Sequence, residues 1–316
     1  MMATNDTQLM RQASEAWPPL PFEDWKETQA TLQRWMQIVG KVKLESVPFL
    51  NEWWNIPFSV TPTGMTTGLM PYRDEAFSVT FDFIEHNLYV HVSDGRTKVM
   101  PLIPRSVADF YREFFAVLAA LEIDTSINPM PVEIVNPISC DVDEQHDSYD
   151  ADAVHRWWRI QLQTAKVLQR YRSSFGGKSS PIMFFWGSFD LSATRFCGRP
   201  ASLPEGAPLF MQLSEDQENF AVGFWPGNDN YAGIPLGEPA FYAYIFPEPD
   251  GFKDASLRPD AAYFHTNLGQ FLLPYGAVRR SEAPSQMVLD FFQSAYEAAA
   301  TLAGWDRTAL DLTRTP

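Results

Sequence analysis

Hydrophobic residues fall along this chain in two rhythms. Four stretches repeat them every three or four positions, the spacing of a helix with one buried face. The first, over residues 23–40, puts Trp25, Thr28, Leu32, Trp35, Met36 and Val39 on one stripe and reaches Gly40, a residue suited to a helix end. The second opens at Ser106, which with Asp109 resembles a capping box, and carries Val107, Phe110, Phe114, Val117, Leu118 and Leu121. The third follows Asp150 as its cap over residues 151–175, with Val154, Trp157, Trp158, Leu162, Ala165, Leu168 and Tyr171 inward and Gly176-Gly177 as the stop. The last begins at Ser281–Pro284, turns Val288, Phe291, Phe292, Ala295, Tyr296, Ala299 and Leu302 inward, and ends at Gly304.

The other rhythm has a period of two and predicts half-buried strands. It is cleanest over Phe77 to Phe83 and recurs at Phe58–Thr61, Met65–Met70, Leu88–Val92 and Lys98–Leu102, with Asp94-Gly95 as a hairpin turn. After the third helix it predicts strands at 182–191, 193–197, 220–225, 240–246, 262–266 and 270–274. Residues 1–16 are expected to be disordered, and Trp17-Pro18-Pro19 to be a rigid extended lead-in. Prolines 129, 131 and 137 mark a connection holding one short strand, Val132 to Val135.

The order helix, about five strands, helix therefore occurs twice. Local matches suggest a duplication with a period of about 130 residues: Phe58–Thr61 aligns with Phe189–Ser192, Met100-Pro101 with Leu273-Pro274, and Phe114-Phe115 with Phe291-Phe292. The predicted class is α+β, two tandem helix–five-strand–helix repeats related by a pseudo-twofold, with antiparallel sheet and helices on one side. The expected boundaries are a lead-in at 1–20, the first repeat at 21–127, a connection at 128–149, the second repeat at 150–306 and a tail at 307–316.

Composition narrows the function class. With 45% hydrophobic and 14% aromatic residues the chain is globular, and a net charge of −15 argues against nucleic acid and anionic membranes as partners. Two distant cysteines, Cys140 and Cys197, fit a reducing compartment, and no stretch is apolar enough for a signal peptide or a bilayer span. A cytoplasmic location is expected.

Candidate chemistry concentrates in MFFWGSFDLSATRFCGR, residues 183–199. A strand there would point Trp186, Ser188 and Asp190 to one face, and after a tight turn Thr194 and Arg195 would return beside them. Arg195 and Arg199 would grip an anionic group while Asp190 orients or deprotonates the ligand; the structural alternative is an Asp190–Arg195 pair that only fixes a hairpin. Asp190 has Ser59 opposite it in the duplication, so the second repeat alone carries these charges. Carboxylates around His146 (Asp141, Asp143, Glu144, Asp147, Asp150) read as an acidic helix start, with no metal motif; His146 is the one histidine placed to reach a pocket. Structural roles are expected for the other four. Trp225-Pro226-Gly227 signals a loop that could cover a site, and Glu248 closes the strand Phe241 to Phe246. Phosphate-binding glycine motifs and a nucleophile elbow are absent from the sequence.

FFWGSFDL, TRFCGR, GFWPG, AFYAYIFPEP, GQFLLPY and FFQSAYEAAA resemble a bacterial family, the domain of unknown function 5996 type, over nearly the whole chain. The resemblance implies an α+β protein and brings no activity or cofactor with it. Met183 stands where several relatives are expected to carry histidine, which weakens any metal site there.

The sequence thus predicts a small-molecule-binding protein, with hydrolysis as its candidate chemistry, Asp190 and His146 as catalytic candidates and Trp186, Ser188, Thr194, Arg195, Arg199 and Trp225 as binding candidates. No metal site is expected and the cofactor is left open. The expected ligand is an anionic small molecule; the reading from another class is an interaction protein, such as a homodimer, that buries an aromatic sheet face.

Overall fold

Helix α1 spans Phe22–Ser46 and runs six residues past its expected end at Gly40. A Cβ at Gly40 would lie 2.5 Å from the Trp186 indole, so this glycine is where a ring from the second half lies flat on the helix, and not a stop. The cap signals elsewhere act as read. Helix α2, Val107–Ala120, starts where Ser106 Oγ accepts the Asp109 amide, and α3, Ala151–Ser173, where the Asp150 carboxylate accepts that of Ala153. A computed structural model describes residues 16–203, 205–207, 209–231 and 234–312, so the expected disorder over 1–16 falls almost wholly outside the described residues.

The strands build two six-stranded antiparallel sheets. The first contains β1 (Ser59–Val60), β2 (Gly64–Thr66), β3 (Met70–Tyr72), β4 (Glu75–Asp82), β5 (Asn87–Val92) and β6 (Thr97–Pro101). Met65–Met70 is not one strand as expected: it splits at Gly68 (φ +69°) into β2 and β3, and both pair with β4. The second contains β7 (Met183–Phe185), β8 (Asp190–Pro200), β9 (Gln217–Trp225), β12 (Ala240–Phe246), β13 (Tyr263–His265) and β14 (Gln270–Pro274). A separate hairpin, β10 (Asn228–Tyr231) with β11 (Ile234–Leu236), and a short helix α4, Leu209–Ser214, were not legible. Helices α5 (Tyr275–Arg280), α6 (Pro284–Leu302) and α7 (Arg307–Leu310) complete the chain. The expected tail is docked as far as residue 312: Asp311 bridges to Phe175 and accepts the Tyr296 hydroxyl at 2.6 Å.

The two sheets meet at one residue pair. Phe58 and Phe184 exchange both backbone hydrogen bonds, each 2.9 Å, and both rings are buried. Counted outward from this seam the orders are β1-β2-β4-β5-β6 and β7-β8-β9-β12-β14, with β13 added at the far edge of the second sheet. Strand β8 thus takes the place of β2, and the expected match of 58–61 to 189–192 does not follow the sheets.

One face of each sheet joins a common core. From the first come Val79, Phe81, Leu88 and Val90; from the second, Leu191, Phe220, Val222, Phe224, Phe241 and Phe271. They pack against Trp35, Trp157, Phe291 and Phe292 of the helices, largely through edge-on and stacked rings.

Candidate functional site

The expected strand 182–191 is broken. Residues 186–189 form a turn in which Phe189 takes φ +64°, and Phe185 pairs with Asp190 across it. Trp186 and Ser188 therefore sit on the turn, and Ser188 reaches Asp190 by folding back. From Asp190 onward β8 alternates, and that alternation sorts the candidates: Asp190, Ser192, Thr194 and Phe196 face outward, while Leu191 and Ala193 face the helices.

Outward there is a cavity of about 1290 Å³. Its floor is the outer face of β7, β8, β9 and β12, including Met183, Ala221, Tyr242 and Tyr244. Trp186, Ser188 and Trp225 close one end; Trp53, Trp54, Phe210 and Glu215 lie along the wall made by the 3-10 turn Asn51–Trp53 and α4. The connection supplies the remaining cover through Val132 to Val135, which form no strand. Gln37 substitutes for a partner strand there: its amide accepts the Val132 N–H at 2.8 Å and donates to the Val132 carbonyl at 2.9 Å.

Asp190 is 7% exposed at this floor. The Ser188 hydroxyl donates to its Oδ1 and the Tyr242 hydroxyl to its Oδ2. Trp225 Nε1 donates to the Ser188 carbonyl at 2.8 Å and so fixes the turn, and Trp186 Nε1 donates to Ile56 O at 3.0 Å. Gly223 makes room for this arrangement, since a Cβ there would come within 2.5 Å of the Tyr242 hydroxyl. Burial raises the Asp190 carboxyl above the usual range against the lowering effect of its two hydroxyl donors. That is a carboxyl suited to accept or release a proton.

Trp186, Ser188, Asp190, Thr194 and Trp225 thus line one cavity. The other three candidates do not. Arg195 faces the helices, because odd positions of β8 point away from Asp190; no Asp190–Arg195 pair forms. Its guanidinium lies 3.5 Å from the Tyr171 ring centroid and 4.4 Å from that of Tyr296, and donates to the Tyr171 carbonyl and Ser174 Oγ. Arg199 ties the sheet edge to the end of α6, pairing with Glu218 and donating to the carbonyls of Ala303 and Gly304. His146 does not line the cavity. Its Nδ1 is 2.7 Å from Asp143, which is fully buried and 3.3 Å from Arg34.

Among the described residues no group of three or more His, Cys, Asp or Glu is placed to hold a metal ion. His86, His91 and His265 have local partners in Tyr149, Thr97 and the Leu268 amide, and His155 packs on Trp158. Trp225 is buried, and Gly227 accepts from Gln29 at 2.8 Å, so this segment is part of the frame and not an exposed cover.

Sequence reasoning missed Tyr242, Glu52, Glu133 and Glu215. Glu215 stands in SEDQEN, which reads as a solvated charge run; in the fold its carboxylate accepts from Asn219, and burial pushes it up to about 7. Tyr242 sits in the aromatic strand AFYAYIF, where only the period of two separates cavity residues from core residues.

Residues 17–312 match the family of unknown function DUF5996, and the chain belongs to that family. No curated protein and no solved structure matches it significantly. No helix among the described residues is long and apolar enough to cross a membrane.

Proposed function

We propose that the protein binds a small organic molecule in the cavity on the outer face of the second sheet, with Asp190 as the group that orients it. The carrying observation is a nearly buried carboxyl, held by two neutral hydroxyls, at the floor of a cavity of about 1290 Å³. Pockets for small molecules are concave, mostly apolar, and carry a few convergent polar groups. The aromatic face is roofed by Val132–Val135 and α4, and this favours a ligand over a flat protein interface. If a bond is broken there, Asp190 is the group placed to take up or return the proton. An anionic ligand has lost its support, because Arg195 and Arg199 lie elsewhere.

The test is a thermal-shift screen of small metabolites against the parent and Ala221→Trp, which fills the middle of the floor. A ligand present at about a hundred times its Kd stabilises by about 2.7 kcal/mol, a shift of several degrees at this chain length. Hits that shift the parent and not the filled variant support the reading. Hits that shift both equally, or no hits, overturn it.

A further inference from the structure

The charge of the cavity wall is one-sided. Five carboxylates line it, Glu52, Glu133, Asp190, Glu215 and Glu248, whereas among the described residues no Lys, Arg or His does. Ten of the lining residues are aromatic. Rings present a negative face, so a wall of rings and carboxylates attracts cations twice over and repels anions. The chain itself shows the arrangement working: the Lys178 ammonium lies 4.7 Å from the Phe196 ring centroid and 5.2 Å from that of Trp54, and is paired with Glu52 at 2.7 Å. That ammonium is already committed to Glu52.

The carboxylates are also separated along the floor. Asp190 is held by Tyr242, the cross-strand partner of Gly223, and Glu215 is held by Asn219 on the same strand. Three residues lie between those two levels of β9, which puts them four steps or about 13 Å apart at strand rise. Thr194, Ala221 and Tyr244 fill the interval with few polar atoms and no charge.

Resting on the binding reading above, we infer that the ligand is an elongated organic cation, a linear amine with a positive group at each end, one meeting Asp190 and the other Glu215. Its hydrocarbon middle would lie across the aromatic floor. The raised Glu215 carboxyl agrees with an acid that lacks a cation until the ligand arrives.

Calorimetric titration with four probes of one length tests this: 1,8-diaminooctane, octylamine, 1,8-octanediol and octanedioate. The diamine should bind at least about tenfold more tightly than octylamine or the diol, with octanedioate weakest. Asp190→Asn and Glu215→Gln should each bring the diamine down to the level of octylamine. If Asp190→Asn fails to fold, judged by its unfolding transition, Glu215→Gln carries the test alone. Equal binding of octylamine and the diamine overturns the two-ended ligand, and binding of the diol or octanedioate as tight as the diamine overturns the cation. If no probe binds while library hits remain sensitive to Ala221→Trp, this inference falls and the cavity reading stands. If neither experiment finds a ligand, both fall.

Discussion

The outer faces of the two sheets have opposite fates. On the first sheet, Ser78, Thr80, Tyr89 and His91 turn away from the core and meet solvent or one another; the Thr80 and Thr66 hydroxyls are 3.1 Å apart and Val99 is half exposed. On the second, every residue of β9 from Asn219 to Trp225 is buried. The strand order outward from the seam is the same and the inner faces are alike in chemistry. What differs is the cover. Residues 132–135, the 3-10 turn at Asn51–Trp53 and α4 roof the second sheet, so that its outer face can stay apolar without meeting water, and the space beneath the roof is the cavity. A half-buried strand alternates visibly, whereas one buried on both faces reads as a continuous apolar run. NFAVGFW and AFYAYIF are such runs.

The largest effect that would break this comparison lies at the seam, which both sheets share. Phe184→Ala, a fully buried ring against Trp157 and Phe189 on the residue that bridges to Phe58, should cost about 3–5 kcal/mol in denaturant unfolding. A loss below about 1 kcal/mol would show the sheets to be energetically separate.

A smaller, pH-dependent effect belongs to the covered face alone. Glu215 is raised from 4.5 to about 7, so the folded chain holds a proton that the unfolded chain releases. Its contribution is complete below about pH 4.5 and is lost as pH rises to about 7. Glu215→Gln should remove that loss and flatten the stability profile across this window by about 1–2 kcal/mol, allowing for partial solvent screening. An unchanged slope between pH 4.5 and 7 would mean that the carboxyl is solvated like a surface acid. The smallest effect sharpens the contrast from the other side: Thr80→Ala on the solvent face should stay within about 0.5 kcal/mol of the parent at any pH in that window.

Local signals carried most of the architecture. Ser106 and Asp150 fixed two helix starts because a cap is satisfied within three residues of itself. Gly40 misled because its meaning comes from Trp186, 146 positions away in the sequence (186 − 40). The turn at 186–189 was hidden among aromatics: Phe189 bears the positive φ there, although Gly187 was the available sign of a break. Asp190 and Ser188 were legible together because the turn joins them within two residues, whereas Trp225 reaches Ser188 from β9, 37 positions on. Arg195 was misplaced by one step of strand parity, and in a sheet with two buried faces one step exchanges cavity for core. Nothing near Glu215 or Val132 announces a cavity wall; only the closed fold brings them there.

The seam also bears on how the chain reaches its native state. Most strand neighbours in either sheet lie close in sequence, whereas Phe58 and Phe184 close a loop spanning 126 positions (184 − 58). Contacts of that range carry a loop entropy that local hairpins do not, so each sheet can zip from its own turns and the seam closes afterwards. The cavity takes its floor from one side of that closure and Trp53, Trp54 and Ile56 from the other. A chain paused before the seam forms would have both sheets and an incomplete cavity, which makes closure of the cavity a late event in folding.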